Sequence, residues 1–439
     1  MSAIALGLLT FALLFVLIFA GIHVGISLIV ASIVGIWLAV GDFKVALNIL
    51  STQAYIGVKD YVYGVIVLFV LMGLFANLSG ASGELYKAFN VMFRRVRGGL
   101  GMATVGANAV FAAITGVSVA SAAVFSKLAL DPMTEYKYDK KFALGIIAGS
   151  SVLGMLIPPS VLFILYGMLA EVSIGKLFLA GILPGILLSV IYCIGIFLMV
   201  RLKPSLIGGN ERDVRKFNRE DLKAIVRIWP IALLVLLVLG GLYGGFFTAT
   251  EAGAIGAFGA FLLVLFKRKM KLKEFWGTLI ETGYTSASIL FLLIAAGMYS
   301  KMLAMAGVIQ MLDRFLDNLN LGSTVLIVIC LIILLILGMV LDSTSIMLIT
   351  MPLMLPFVKS MGFDLIVFGV IVVLVVEMGL LTPPFGMVPF AMKSALKDRA
   401  KIEEIFSGSV PFLLMMAIAV VILMVFPQII TWIPYSVAN

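Results

Sequence analysis

Long apolar runs, separated by short polar stretches, follow one another along almost the whole chain. A membrane-spanning helix needs about 20 mostly apolar residues, so the runs predict about ten to twelve membrane segments joined by short loops. The first run occupies residues 1–21, has no basic segment before it and leads directly into a second run. It is therefore predicted to be an uncleaved membrane span and not a signal peptide.

The composition excludes a water-soluble protein. Of the 439 residues, 63% are apolar and 12% are charged, whereas soluble domains have roughly 45–50% apolar and about 25% charged residues. The predicted fold class is therefore an all-α polytopic membrane protein. The net charge of +9 would suggest a nucleic-acid partner in a soluble chain, but basic residues collect in the cytoplasmic loops of membrane proteins. We expect membrane lipid around the chain and no nucleic acid.

The basic clusters predict how the chain crosses the membrane. Five clusters, all assigned to the cytoplasm, lie at residues 87–97, 127–141, 201–227, 267–273 and 393–401. The apolar segment between the first two must enter the membrane and return to the same side, as a re-entrant hairpin or two tight spans at 98–129. Following the predicted spans from one side of the membrane to the other along the rest of the chain predicts a second hairpin, at 323–358, that enters from the periplasm. Both chain termini are then expected to be periplasmic.

A sequence repeat accompanies the two hairpins. Gly154 and Gly379 each begin a G-x-x-x-P-P motif, and the two motifs are 225 residues apart (379 − 154). The same shift carries Ser118, in the middle of the first hairpin, to Ser343, in the middle of the second. The two halves of the chain are therefore expected to share one architecture.

This architecture is predicted to be a pair of inverted-topology repeats, at residues 1–200 and 228–439, joined by a solvated cytoplasmic connector at 201–227. Each repeat has three spans, a re-entrant helical hairpin, a Pro-broken helix and a final span. The broken helices are placed at 142–170 and 365–396. Interrupted helices in matching positions of two inverted repeats are typical of secondary transporters and mark their binding sites.

The Pro-Pro pairs predict helix breaks that can bind ions. Proline inside a helix removes a backbone hydrogen bond and clashes with the preceding turn, so Pro158-Pro159 and Pro383-Pro384 are expected to unwind a membrane helix near its middle. Unwinding frees carbonyl oxygens for a cation, and the half-helix ends present dipoles to charged ligands. A simple kink is the alternative, but the recurrence of the motif beside a polar hairpin favours binding sites.

Two acidic residues lie in apolar segments of the second half, where a charge costs at least about 2.5–3.5 kcal/mol. Asp342 stands at the predicted hairpin tip beside Ser343 and Thr344, which favours a cation site over a tip that merely reaches water. For Glu377, a cation or substrate role and a salt bridge to a basic side chain are both open.

Two other polar residues favour structural roles. Glu251 follows Thr248 and Thr250 at a predicted helix start, where a carboxylate caps the helix. His23 is the only histidine, so a multi-histidine metal site is excluded and the residue is interpreted as a buried structural histidine.

The motifs also exclude several function classes. The sequence has no GxxxxGK[ST] loop, so ATP hydrolysis through a P-loop is excluded and an ion gradient is the remaining energy source. It has no HExxH or GxSxG motif and no carboxylate pair at catalytic spacing, so the chain is not expected to be an enzyme. A channel is disfavoured because inverted repeats with paired hairpins suit alternating access.

Several of these motifs, in this order and spacing, resemble one family of transporters along essentially the whole chain. The residues are Ala113-Ile-Thr-Gly116-Val-Ser118, Leu153-Gly-Met-Leu-Ile-Pro-Pro-Ser160, Thr250-Glu251-Ala252, Gly338-Met-Val-Leu-Asp342 and Gly379-Leu-Leu-Thr-Pro-Pro-Phe-Gly386. The family is the large membrane subunit, DctM type, of tripartite ATP-independent periplasmic (TRAP) transporters.

The resemblance implies an elevator-type secondary transporter of the ion transporter superfamily in the bacterial inner membrane. It implies Na⁺ as the coupling ion and uptake of a small organic acid, of the dicarboxylate or sialic-acid type. The expected partners are a periplasmic substrate-binding protein and a small four-helix TRAP membrane subunit on a separate chain. A stand-alone ion-coupled organic anion carrier of the same superfamily is the alternative.

The resemblance also implies site residues. One Na⁺ site is expected between the first hairpin tip and the first break, and a second between the second tip and the second break. The implied Na⁺ ligands are Gly116, Ser118, Ser121, Gly154, Pro158, Asp342, Ser343, Thr344, Gly379 and Thr382. The implied substrate-binding residues are Ser121, Pro159, Ser160, Ser345, Glu377, Pro384 and Gly386. Many relatives carry Ser-Ser-Pro at the first tip where this chain has Val117-Ser118-Val119, so backbone carbonyls are expected to contribute more of the ligands there.

Overall fold

The computed structural model describes residues 3–59, 61–208, 218–268, 270–311 and 322–436. Within these ranges the fold is all-helical. The helices are α1 (Ala3–Phe19), α2 (Val24–Val40), α3 (Phe43–Lys59), α4 (Gly64–Leu78), α5 (Ala81–Phe93), α6 (Gly99–Thr115), α7 (Ser118–Glu135), α8 (Lys140–Ser151), α9 (Leu153–Leu156), α10 (Val161–Ala170), α11 (Ile174–Leu202), α12 (Arg219–Val226), α13 (Trp229–Tyr243), α14 (Ala249–Phe266), α15 (Leu272–Met305), α16 (Ser323–Gly338), α17 (Ser343–Ser360), α18 (Leu365–Leu381), α19 (Met387–Leu396), α20 (Ile402–Val425) and α21 (Gln428–Ser436).

Several of the helices are long and apolar enough to cross a membrane. In the described part of the chain six helices meet this criterion, or up to eight if each of two bent helix pairs counts as one span. The bent pairs are α4 with α5, at 65°, and α8–α9 with α10, at 41°. The prediction of an all-α multi-pass membrane protein is therefore confirmed, while the inverted orientation of the two halves stays a prediction.

The two segments assigned to hairpins each form two helices joined by a tight turn. Helix α6 ends at Gly116, whose φ of +63° belongs to the left-handed region. Glycine adopts this conformation without the steric cost of a Cβ, so the chain can reverse there. Helices α7 and α17 begin at Ser118 and Ser343, the two residues related by the 225-residue shift.

The two segments assigned to broken helices are interrupted at the Pro-Pro pairs. Helix α9 gives way to a non-helical stretch at residues 157–160 before α10, and α18 gives way to one at 382–386 before α19. Both Pro-Pro peptide bonds are cis. Because proline has no N–H to continue the hydrogen-bond ladder, each helix ends two residues before the first proline of the pair.

The helices pack as two groups that meet along a seam. In one group α4 packs against α14, and α2 packs against both α1 and α15. In the other, α8 packs against α20, α6 packs against α8 and α11, and α18 packs against α16 and α20. The groups touch where α4 contacts α6 and α10, and where α15 contacts α17. Both hairpins therefore belong to the second group and face the first across the seam.

Two expectations about polar residues are corrected and one is confirmed. His23 is exposed and not buried, because it lies in the turn before α2, where its Nδ1 accepts the Gly25 N–H as an N-cap. Residues 209–217 of the connector lie outside the described residues, but α12 is not simply solvated, since it packs against α5. The capping role of Glu251 is confirmed by its capping box with Thr248.

The contact between α12 and α5 includes a buried ion pair. Arg94, the residue that follows α5, and Asp221 on α12 approach to 2.8 Å, with side chains 8% and 9% exposed. An ion pair that excludes water is strongly destabilised when one charge is removed, because the other charge stays buried without compensation. The pair therefore fixes the connector to the helix that precedes the first hairpin.

Replacing Asp221 by asparagine tests this contact. Asparagine keeps a side-chain oxygen for the helix cap but removes the charge facing Arg94, so Asp221→Asn is expected to destabilise the protein by about 3 kcal/mol. The control is Asp131→Asn, which removes one charge of the Asp131–Arg399 pair, where both side chains are about half exposed; its expected cost is below about 1 kcal/mol. Thermal unfolding of the purified protein measures both, and equal shifts would contradict the assignment.

Candidate functional site

The tip of the first hairpin lies directly on the first helix break. The carbonyl of Gly116 accepts the Val161 N–H at 3.4 Å, and a methyl group placed on Gly116 would lie 2.6 Å from the Pro159 carbonyl oxygen. On the other side of the break, a methyl on Gly154 would lie 3.0 Å from the Ser118 Cα. The close approach of tip and break therefore requires glycine at both positions.

The tip of the second hairpin lies on the second break in a comparable way. The Phe385 N–H donates to the Met339 carbonyl at 3.1 Å. A methyl on Gly379 would lie 2.5 Å from the Gly338 Cα, so α18 and α16 are in backbone contact at this point. Each half of the chain thus brings its hairpin tip and its helix break together.

Asp342 has a structural role and spare capacity to bind a cation. Its carboxylate caps α17 by accepting the Ser345 N–H at 3.0 Å and also the Ser345 hydroxyl. An ionised carboxylate has about four acceptor positions, so the cap does not use them all. The side chain is half-buried, which leaves it accessible to an ion.

Glu377 lies beside the tip of the second hairpin. Its side chain is 0% exposed, and its Oε1 accepts the Ser343 hydroxyl at 3.4 Å. The Ser118 hydroxyl of the first hairpin donates to the Val152 carbonyl at 3.4 Å. Oε2 has no hydrogen-bond partner among the described residues, and no ion pair to Glu377 occurs among them. The salt bridge to a basic side chain, one of the two interpretations open from the sequence, is not found in the described part of the chain.

A cavity of about 770 Å³ lies between the two helix groups. Of the predicted site residues, Asp342, Thr344 and Ser345 line it. The other polar lining residues, which sequence reasoning missed, are His23, Asn77, Thr115, Glu281, Thr285 and Ser288. No Lys or Arg among the described residues lines it. A sequence signal for Glu281, Thr285 and Ser288 is the stretch 278–288 of α15, which is rich in polar residues.

The remaining predicted site residues lie at the tips and breaks and do not line this cavity. Ser121 is fully buried, and its hydroxyl has no partner among the described residues. Ser160 caps α10, and Thr382 donates to the Met378 carbonyl at 2.8 Å. The residues located in or beside the two breaks are Pro158, Pro159, Pro384 and Gly386.

Comparison with known proteins agrees with this architecture. Residues 11–429 match the family described as the tripartite ATP-independent periplasmic transporter, DctM component. The chain belongs to this family. It is a family of transporter permeases, in line with the expectation that the chain is not an enzyme.

Individual relatives cover most of the chain. The C4-dicarboxylate TRAP transporter large permease protein DctM of Pseudomonas aeruginosa is 32% identical over 86% of this chain and 85% of its own length. The sialic acid TRAP transporter large permease protein SiaM of Vibrio cholerae is 28% identical over 87% and 88%. The crystal structure of the Alcanivorax borkumensis YdaH transporter, at 14% identity, covers 87% of this chain and 89% of its own with a TM-score of 0.60, and supports the fold alone.

Substituting the glycines at the breaks tests how closely tip and break must approach. Gly379→Ala places a methyl against backbone atoms of α16, so we expect it to destabilise the protein by about 1–3 kcal/mol through overpacking. Gly277→Ala is the matched control, because a methyl there has no atom within 4 Å and alanine favours a helix by up to about 1 kcal/mol over glycine. Unfolding temperatures should separate the two variants, and a neutral Gly379→Ala would refute the close contact.

Proposed function

We propose that this chain is the large permease subunit of a Na⁺-coupled TRAP transporter that takes up a small organic acid across the bacterial inner membrane. A periplasmic binding protein delivers the substrate, and a small four-helix membrane subunit completes the permease. The main observation behind the proposal is the pairing of two hairpin tips with two helix breaks beside a cavity. In membrane transporters such breaks present carbonyl oxygens and helix ends to coupling ions and substrates.

Two sodium sites follow from the two pairings. The first lies between the tip of residues 116–121 and the break after Gly154, and the second lies between Asp342 and the break after Gly379. Each offers hydroxyl oxygens and the carbonyls of interrupted helices, and the second adds a carboxylate. Transporters with discontinuous helices coordinate Na⁺ with oxygen ligands of this kind at the helix interruptions.

The cavity is the proposed substrate site. Its volume of about 770 Å³ falls in the range of about 300–1,000 Å³ typical of small-molecule sites. A substrate carboxylate there has a hydroxyl donor from Thr344 and the N-terminal end of α17, whose dipole favours an anion. The printed names of the relatives include C4-dicarboxylate and sialic acid transporters, so an organic acid of one of these types is the proposed cargo.

An elevator movement fits the division into two helix groups. The group with both hairpins would slide along α4 and α15, which carries the cavity from one face of the membrane to the other. Two cations moved inward with a monoanion carry one net charge, and a potential of 100 mV supplies about 2.3 kcal/mol for it. A stand-alone carrier of the same superfamily is the second candidate, and co-purification of a small membrane subunit would distinguish the two.

Sodium-dependent stability tests the proposal without knowledge of the substrate. A ligand that binds only the native state stabilises it by RT ln(1 + [L]/Kd), which is about 2.7 kcal/mol at 100 times Kd. Thermal unfolding in NaCl, KCl and choline chloride at equal ionic strength is expected to show a shift specific to Na⁺. Asp342→Asn should reduce this shift, because asparagine caps a helix as well as aspartate does but carries no charge.

Asp364→Asn is the matched control. Asp364 caps α18 by accepting the Ile366 and Val367 N–H groups, and it does not line the cavity. This variant is expected to keep the full Na⁺-specific shift. Equal unfolding temperatures in the three salts would reject Na⁺ coupling, and an undiminished shift in Asp342→Asn would remove Asp342 from the site.

A further inference from the structure

We propose that the wall of the cavity opposite the hairpins binds hydroxyl groups, and that the cargo is therefore a hydroxylated monocarboxylate and not a dicarboxylate. The inference rests on the proposed function, because it takes the cavity as the substrate site. The hydroxyl subsite consists of five side chains of the first helix group, which are His23, Asn77, Glu281, Thr285 and Ser288. None of the five belongs to a hairpin or a helix break.

Three of these side chains form a polar stripe on one face of α15. Glu281, Thr285 and Ser288 follow one another at intervals of four and three residues, so they lie about one helical turn apart on the same face. All three are exposed and line the cavity, and their side chains make no hydrogen bond or ion pair with another described residue. By contrast, the hydroxyls of Thr278 and Thr282 donate to carbonyls of the preceding turn. The stripe therefore presents unused donors and acceptors to the cavity.

His23 offers a further hydrogen-bond donor to the same space. Its Nδ1 accepts the Gly25 N–H at 3.3 Å, so the neutral ring carries its proton on Nε2. The ring lies beside Phe291 of α15, with 5.9 Å between the ring centroids, and it lines the cavity as an exposed side chain. The exposed amide of Asn77 on α4 adds both a donor and an acceptor.

The composition of the subsite suits hydroxyl groups better than a second carboxylate. A hydroxyl both donates and accepts, so it can pair with the Glu281 carboxylate and with the donors around it. A substrate carboxylate only accepts, and the negative charge of Glu281 would repel it. No Lys or Arg in the described part of the chain lines the cavity to offset that charge. The proposed Na⁺ beside Asp342 belongs to the opposite wall.

The opposite wall has one place for a carboxylate, at Thr344 and the N-terminal end of α17. The cavity of about 770 Å³ lies in the upper part of the range of about 300–1,000 Å³ for small-molecule sites, and a C4-dicarboxylate leaves much of such a volume unfilled. A longer acid with hydroxyl groups along its chain, such as a sugar acid, can extend from α17 to the hydroxyl subsite. The inferred cargo therefore has one carboxylate at one end and hydroxyl groups towards the other.

Thermal unfolding of the full-length protein in detergent, at constant Na⁺ concentration and ionic strength, tests the class of acid. The probes are two hydroxylated monocarboxylates, gluconate and sialic acid; hexanoate, which has the chain length of gluconate without its hydroxyl groups; and succinate, a C4-dicarboxylate. Titrations give the Kd of each acid, since a ligand stabilises the native state by RT ln(1 + [L]/Kd). At least one hydroxylated acid is expected to bind about tenfold more tightly than hexanoate and succinate. Equal Kd values, or tighter binding of succinate, would overturn the inference.

Thr285→Val and Thr282→Val form a matched pair of variants on α15. Both remove a hydroxyl by the same change, but Thr285 lines the cavity, whereas Thr282 is 4% exposed and is bonded within its helix. Thr285→Val is expected to weaken the binding of the hydroxylated acid about fivefold, the effect of one hydrogen bond, and to leave the Kd of hexanoate unchanged. Thr282→Val should change neither Kd.

His23→Asn and Glu281→Gln test the other two parts of the subsite. Asparagine is a good N-cap and keeps the start of α2, but its shorter side chain withdraws the donor of His23, so the hydroxylated acid should again bind about fivefold more weakly. Glu281→Gln removes the repulsion of a second carboxylate, and succinate is expected to bind roughly fivefold more tightly than to the native protein. A Kd of succinate that this substitution leaves unchanged would overturn the exclusion of dicarboxylates.

The outcomes also separate this inference from the proposed function. Thr344→Val removes a hydroxyl from the opposite wall. If it weakens the binding of the monocarboxylates while Thr285→Val and His23→Asn do not, the cavity remains the substrate site and the hydroxyl subsite is rejected. If no acid stabilises the protein, or if none of the three substitutions changes a Kd, the cavity is not the substrate site and both proposals are rejected. Because His23 and Thr285 are exposed to the cavity, either variant alone suffices if the other does not fold.

Discussion

The structure depends on one constraint, which is that backbone polar groups within a membrane must be satisfied by the protein itself. Each Pro-Pro break removes helical hydrogen bonds within an apolar helical segment, and each hairpin turn exposes further carbonyls. The break and the turn satisfy each other's backbone groups. The Val161 N–H donates to the Gly116 carbonyl in the first half, and the Phe385 N–H donates to the Met339 carbonyl in the second. Broken helices and hairpins are therefore one structural unit, and the glycines at their contacts are required because any side chain would separate them.

Within this unit the two acidic residues have different environments. Asp342 caps α17 at the edge of the cavity, and Glu377 lies where neither water nor a basic side chain among the described residues reaches it. A half-buried carboxylate can bind a ligand that enters from the cavity. A fully buried carboxylate contacts only the protein groups packed around it. The sequence places both in apolar segments and puts Asp342 at a hairpin tip; the packing adds that Asp342 lines the cavity, whereas Glu377 is fully buried outside it.

The elements that could be predicted are those that local chemistry determines. Paired prolines end helices, and basic clusters bracket the segment that forms α6 and α7, so helices, turns and breaks follow from short stretches of sequence. Contacts across long separations could not be predicted in this way. No local pattern pairs Arg94 with Asp221, brings Asn77 and Thr285 to the cavity of Asp342, or exposes His23. The relation of Ser118 to Ser343 was visible as a repeat, but their different partners were not: the Ser118 hydroxyl donates to the Val152 carbonyl, and the Ser343 hydroxyl donates to Glu377.

The charge of the cavity gives a physical reason for coupling an anion to a cation. Its lining includes Asp342 and Glu281 and, among the described residues, neither Lys nor Arg. The carboxylates would repel an organic anion, and this repulsion is stronger at the low dielectric of a protein interior than in water, so a positive charge that enters with the anion makes its binding more favourable. In the proposed function a bound Na⁺ neutralises Asp342 and leaves the N-terminus of α17 to bind the substrate carboxylate. Under that proposal the bound ion and the substrate each make the binding of the other more favourable, which is the electrostatic basis of the proposed symport.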